Sequence, residues 1–262
     1  MPDSVRIAKL LQTRAIGAKI VCLDSVGSTN EYLKLHAQDL QHGCTVIADE
    51  QTGGLTRRGG SWVSRRGESL LMSVLLKDAG EAWAPVITLA CGLAVARVLN
   101  ALCGCGFGIK WPNDIVFGSK KVCGILCQSI IAKPQTVMVC GIGVNLTQDK
   151  LFFEESGLPY AASVKMLTGG APSCEEMAVG ILSELEKIYD EYKERGANSF
   201  IDEYCGLCVT LGRPVRAVFD DGAVDGLASS IDPDGSLVID TAGGSVKVNS
   251  GEVSVRGIMG YI

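Results

Sequence analysis

The chain has 262 residues, 47% of them hydrophobic, with 24 basic against 29 acidic side chains and a net charge of −5. That is enough apolar material for one large core with a small satellite domain. The negative balance without any Lys/Arg-rich block argues against a nucleic-acid partner. No apolar run reaches the length of a membrane span, and residues 1–20 carry no signal-peptide core, so a cytoplasmic protein without a membrane partner is expected.

In chain order, one helix fits Ser4 to Arg14, which leaves no room for a three-helix DNA-reading domain ahead of the first strand. Ile20–Asp24 reads as that strand. Ser28 and Glu31 have capping-box spacing and open a helix to about Ala37. Thr45–Asp49 is a second strand, and a Gly- and Arg-containing loop runs from Gln51 to Gly60. Ser69–Leu76 reads as a buried strand, and Pro85 suits the first turn of an apolar helix over Val86–Leu102, ended by the glycines from Gly104 to Gly108. Further strands are expected at Ile109–Trp111, Asp114–Phe117, Val122–Ser129 and Thr136–Val144, with Gly118-Ser119-Lys120 turning one hairpin. Ser173 and Glu176 cap a helix whose apolar positions, Ala178 through Tyr192, trace one face at helical period. From Leu211 the composition changes to short strands (Pro214–Phe219, Gly226–Ile231, Ser236–Ile239, Ser245–Val248, Glu252–Arg256) punctuated by Asp-Gly and Gly-Gly turns. The expectation is an α+β fold, a mixed β-sheet flanked by helices over residues 1–208, followed by a small β-barrel over 209–262.

Four segments carry polar chemistry. Gln51–Trp62 combines four glycines with Arg57 and Arg58, which suits a polyphosphate or carboxylate but equally a solvated loop; no Gly-Lys-Ser/Thr makes it a Walker loop. Lys110-Trp111-Pro112-Asn113-Asp114 puts two charges and an amide between apolar strands, where they are costly to bury without a purpose, or else marks a bent strand end. Lys120-Lys121 leads into an apolar strand and either points an ammonium into a site or is solvated. Gly141-Ile142-Gly143-Val144-Asn145 signals close approach of a ligand or another backbone. The 11 cysteines, at apolar positions such as Cys22, Cys91, Cys123, Cys127 and Cys140, read as buried reduced thiols. Cys205 and Cys208 form a single C-x-x-C with no second pair, and His36 and His42 lie far away in sequence.

Taken in order, Ser28-Thr29-Asn30, Gln51 with its Gly/Arg loop ending in Trp62, Lys-Trp-Pro-Asn-Asp, Lys121 with Gly124-Ile-Leu, Gly-Ile-Gly-Val-Asn and Gly251-Glu-Val-Ser-Val-Arg256 resemble the biotin protein ligases, over roughly residues 20–258. The resemblance is to the short group without an N-terminal DNA-binding domain. It implies a biotin/lipoate ligase-like catalytic domain with an SH3-like barrel behind it. It implies that biotin is bound by Ser28, Thr29, Asn30, Gln51, Leu55, Thr56, Arg57, Lys121 and Gly124. ATP would be held by Arg57, Arg58, Trp62, Lys110, Asn113, Asn145 and Arg256, and its Mg²⁺ by Asp114. Lys121 and Arg57 are the implied catalytic pair, and Glu252 and Arg256 would close the ATP side. The partners implied are biotin, ATP and a lysine of a biotin carboxyl carrier protein domain; members occur as monomers or as dimers with side-by-side sheets, and a homodimer is expected here.

The loop departs from the family's usual Gly-Arg-Gly-Arg-x-Gly-Arg. Leu55 stands for the first Arg, Thr56 for a Gly and Gly60 for the last Arg, while Arg57 keeps the central Arg. Weaker retention of an activated intermediate is expected. Two rival readings stand beside this one: a ligase for lipoate or a related acyl acid, and a biotin-binding module without ligase activity. Retained Arg57 and Lys121 argue against the second.

Overall fold

The computed structural model describes residues 1–77, 83–104, 106–132, 135–220, 222–250, 254–257 and 261. Seven strands form the main sheet: β1 (Ile20–Leu23), β2 (Thr45–Ala48), β3 (Ser69–Leu76), β4 (Gly108–Lys110), β5 (Asp114–Phe117), β6 (Lys120–Ala132) and β7 (Gln135–Asn145). Their order is β1-β2-β3-β7-β6-β5-β4, with β1 and β2 parallel and the other neighbours antiparallel. The helices are α1 (Ser4–Leu10), α2 (Thr29–Leu35), α3 (Ile87–Cys103), α4 (Lys150–Glu155), α5 (Val164–Thr168), α6 (Cys174–Arg195) and α7 (Ile201–Leu207).

Helices lie on both faces of the sheet, which is why β3 is apolar nearly throughout and buried along its whole length. Its even positions, Leu70, Met72, Val74 and Leu76, join the large core under α3 and α6, while Leu75 joins a smaller cluster with Leu33 of α2. The same alternation on β7 sends Cys140, Ile142 and Val144 to the large core, and Val137 and Val139 to the smaller one. Gly141 and Gly143 share the face of α2. Helix α6 carries the expected stripe, and Ser173 and Glu176 close a reciprocal capping box.

Several expectations are corrected. Helix α1 stops at Leu10, because the backbone N–H groups of Arg14, Ala15 and Ile16 instead donate to the Glu186 carboxylate of α6 at 2.7–3.1 Å. Pro85 precedes the N-cap Val86 of α3. Strands β6 and β7 run longer than expected, as one hairpin with register from Cys123↔Val144 to Ala132↔Gln135. Helices α4, α5 and α7 are absent from the sequence reading, since five to seven residues are too few to display a helical period.

Beyond α7 come β8 (Pro214–Val218), β9 (Ala223–Ile231), β10 (Leu237–Thr241), β11 (Gly244–Val248) and β12 (Ser254–Gly257), an antiparallel sheet in the order β11-β10-β9-β8-β12. Its inward side chains, among them Val215, Ala217, Leu237 and Val255, are continuous with the large core. The Trp111 indole N–H donates to Gly235 O at 3.0 Å and ties the two sheets together. Among the described residues no helix is long and apolar enough to cross a membrane.

Candidate active site

Two adjoining cavities lie on the α2 face of the sheet. The smaller, about 490 Å³, has the start of α2 (Ser28, Thr29, Asn30) and Gln51 at one end. Leu55, Thr56, Arg57 and Trp62 form its loop wall, and Lys121 and Asn113 close the other end. The larger, about 1110 Å³, is bordered by Lys110, Asp114, Arg256, Tyr160 and Tyr261. Arg57 and Asn113 border both.

The floor is a strip of glycines. Gly124 of β6 and Gly143 of β7 are register partners, and a Cβ on either would come within 2.8 Å of the Trp62 ring. A Cβ on Gly141 would meet Asn30 Oδ1 at 2.3 Å. The close approach signalled by these glycines is therefore made by two of the protein's own side chains lying flat on the sheet.

At the neutral end, hydrogen bonds set which groups remain for a ligand. Asn30 Nδ2 donates to Leu126 O (3.1 Å) and to Gln128 Oε1 (3.0 Å), so Asn30 Oδ1 is an acceptor and takes the proton of Ser73 Oγ at 2.6 Å. Thr29 Oγ1 lies 2.6 Å from Ser73 Oγ and 3.0 Å from Gln51 Oε1, which also accepts from Thr29 N at 2.8 Å. Three hydroxyl contacts share two protons, and with Ser73 committed to Asn30, Thr29 has one proton for two acceptors. Asn30 thus braces the pocket with its amide already engaged, while Thr29, Ser28 and the Nε2 side of Gln51 remain for a ligand.

At the junction, Lys121 Nζ lies 2.7 Å from Asp114 Oδ1. Strict alternation would place Lys121 with Cys123 in the core. A register shift between Ile115 and Val116 turns it to the cavity side instead, where a Cβ on Gly124 would lie 3.2 Å from Lys121 Nζ. Burial pushes the Asp114 carboxyl up, but Lys121, the Tyr261 hydroxyl and Lys110 outweigh this and hold it below its ordinary value. Burial pushes the Lys110 ammonium down to about 8, with Lys121, Arg57 and Arg256 adding repulsion and Asp114 partly offsetting it. Burial also lowers Arg57, which stays charged at neutral pH. Four cations, Arg57, Lys110, Lys121 and Arg256, thus surround one carboxylate lining the two cavities, an arrangement suited to a polyanion.

The profile described as the biotin/lipoate A/B protein ligase family matches residues 22–145, and that of the biotin protein ligase C terminal domain matches 210–256. The biotin--[acetyl-CoA-carboxylase] ligase of Mycobacterium tuberculosis is 33% identical over 237 residues, covering 87% of this chain and 85% of that protein. The chain belongs to the biotin protein ligase family. The enzyme of the same name from Paracoccus denitrificans is 32% identical, covering 88% of this chain and 98% of its own. The biotin protein ligase from Aquifex aeolicus, solved in complex with biotin and ATP, superposes with a TM-score of 0.80 at 28% identity, over 92% of this chain and 99% of that one.

Within this biotin protein ligase fold the expected residues divide. Ser28, Thr29, Asn30, Gln51, Leu55, Thr56, Arg57, Trp62, Asn113, Lys121 and Gly124 all border the smaller cavity. Lys110, Asp114 and Arg256 border the larger. Asn145 borders neither; its amide donates to Ala162 O at 3.3 Å. Arg58 also borders neither, since its guanidinium donates to Val218 O of β8 at 3.0 Å, while Arg57 donates to Ser250 O at 2.9 Å. The loop is thereby tied to the C-terminal sheet. Glu252 lies outside the described residues. Sequence reasoning missed Ser73, Gln128, Tyr160 and Tyr261. Ser73 alone left a readable signal, a hydroxyl in the middle of an apolar strand. Tyr261 stacks on Tyr160 with centroids 5.5 Å apart, lies under Lys110 Nζ at 3.7 Å and donates to Asp114.

Proposed function

We propose that the protein activates biotin with MgATP to biotinyl-5'-adenylate and transfers the biotinyl group to a lysine of a biotin carboxyl carrier domain. The observation that carries this reading is the junction: a neutral hydrogen-bonding pocket opens, past Lys121 and Arg57, into a cavity lined by cations. Thr29, Ser28 and Gln51 supply donors and acceptors for a ureido ring, with Asn30 and Ser73 holding them. The acid's carboxylate then points to Lys121 and Arg57.

A carboxylate oxygen attacks the α-phosphorus and the bond to the β-phosphate oxygen breaks, releasing pyrophosphate. The nucleophile is already ionised, so no general base is required. The obstacle is bringing two anions together, and Lys121 and Arg57 neutralise both while Lys110 and Arg256 hold the polyphosphate. In the second step the neutral amine of the carrier lysine attacks the mixed-anhydride carbonyl, AMP leaves, and the nitrogen gives its proton to solvent. Holding both partners in one pocket lowers the entropic part of each barrier, and the loop from Gln51 to Gly60 shields the anhydride from water.

Magnesium would accompany the nucleotide and offset the charge of its phosphates. Asp114 is the carboxylate lining the larger cavity, and its two oxygens face Lys121 and Tyr261, so a contact to the ion requires one of these to give way. We assign residues 1–208 to catalysis and 209–262 to the C-terminal domain. A homodimer with side-by-side sheets is part of the same reading, and sedimentation of the free protein tests it. The test of function is incubation with ATP, labelled biotin and a carrier domain. Pyrophosphate release together with label transfer is expected, and absence of both refutes the assignment.

A further inference from the structure

On the opposite face of the sheet, under α3, three thiols converge. Cys91 comes from α3, Cys127 from β6 and Cys140 from β7, where Cys127 and Cys140 are register partners. Their Sγ atoms all lie within 4.8 Å of one another. Cys91 and Cys140 are fully buried and Cys127 partly so. The thiols hydrogen-bond among themselves, and the Thr88 hydroxyl joins at Cys127. The described cysteines are free thiols, and the catalytic site uses none of these three.

We propose that Cys91, Cys127 and Cys140 form a binding site for one thiophilic monovalent d¹⁰ cation, Cu(I). A triangle with sides no longer than 4.8 Å has a point within about 2.8 Å of every corner, a few tenths of an ångström outside the ~2.3 Å of a metal–thiolate bond. Small side-chain rotations close that difference. The donor set selects the ion: thiolate sulfur favours Cu(I), zinc or iron–sulfur clusters, and structural zinc and the clusters ask for four protein ligands. Among the described residues no fourth His, Cys, Asp or Glu joins the group. The surrounding core, with Ile125 and Ile142 on the same strand face, is too apolar to supply water as one. Three sulfurs in a dry setting match the low coordination number that Cu(I) accepts.

Charge is the main objection, and the geometry moderates it. Two thiols lose their protons to solvent as Cu(I) binds, and the third sulfur coordinates as the thiol, so one negative charge remains. That charge has a polar neighbour in the first turn of α3, where the Thr88 hydroxyl joins Cys127. Entry is open at Cys127. Cys127 is the partly exposed member of the three, and the pairing of β5 with β6 ends at Gly124, short of it.

The test is anaerobic titration of the full-length protein with Cu(I) supplied as its bathocuproine complex, with X-ray absorption of the one-equivalent sample. The expected result is one Cu(I) taken from the chelator with three sulfur neighbours. Cys91→Ala and Cys140→Ala should each weaken the first equivalent at least a hundredfold and leave two sulfurs, while Cys205→Ala changes neither. Two-sulfur coordination in the wild type, or an unchanged first equivalent in both variants, overturns the proposal. Preferential retention of Zn(II) over Cu(I) overturns the choice of ion. If an alanine variant does not fold, the sulfur count of the wild type decides alone.

Discussion

Lys110 is a lysine whose charge is lost within an accessible pH range. Burial among Lys121, Arg57 and Arg256 pushes it down to about 8 from an ordinary 10.5. It is then about nine-tenths protonated at pH 7 and about one-tenth at pH 9. If the protonated form holds the polyphosphate, kcat/KM for ATP, which reports the free enzyme, falls about tenfold between those pH values. The deprotonated form lacks a charge-assisted contact of about 1.5–3 kcal/mol, so it contributes little. Stability moves the other way. The folded protein binds fewer protons than the unfolded chain between pH 8 and 10.5, so stability rises with pH across that window, by at most about 3 kcal/mol. The assay is pyrophosphate exchange at subsaturating ATP from pH 6.5 to 9.5. Lys110→Gln should be low and flat, and Lys110→Arg, which carries a charge that does not titrate there, high and flat. A level wild-type profile, or an inflection that persists in Lys110→Gln, refutes the reasoning.

Lys121→Ala should lower adenylate formation about 10²-fold or more, the scale of losing one oxyanion donor, with biotin affinity within an order of magnitude; near-normal pyrophosphate exchange rejects the role. Asp114→Asn added to it should restore stability, since Asp114 then no longer needs the partner 2.7 Å away, without restoring activity. In the loop, Leu55→Arg with Gly60→Arg should slow the loss of adenylate, each regained charge-assisted contact being worth about 1.5–3 kcal/mol. Arg58 is engaged at Val218 O, and Arg65 faces Glu68 and Asp149, so neither stands in for the missing arginines; stopped-flow off-rates agreeing within a factor of two reject this. Ser73→Ala removes the donor to Asn30 and should weaken biotin about tenfold, as for a net hydrogen bond of about 1–1.5 kcal/mol, leaving KM for ATP within a factor of two. Equal losses on both substrates would show a general defect.

The segments legible in the sequence are those whose signals are local. Ser69–Leu76 and Asp114–Phe117 have the bounds read from apolar runs between turn residues, and Ser173 with Glu176 closes the box its spacing implies. The order of motifs from Ser28 to Arg256 identified the family, because few folds require so many polar and glycine positions in one sequence. Two of the motif residues have protein partners outside the two cavities. Asn145 and Arg58 sit in matching motifs, yet their side chains are satisfied by Ala162 O and Val218 O.

What the sequence by itself determined is the main-sheet strands, the longer helices α3 and α6, the strand-rich C-terminal part and the family, since hydrophobic period, capping and turn chemistry act over a few residues. Tertiary structure alone decided which groups meet. It set Lys121 against Asp114 through a strand irregularity, laid Trp62 and Asn30 on three glycines, gave Ser73's proton to Asn30, pinned Trp111 to Gly235, and gathered Cys91, Cys127 and Cys140. Most of these pairs lie far apart in the chain. Their energies depend on distance, burial and the direction of one hydrogen bond, quantities that exist only once the sheet has fixed its register.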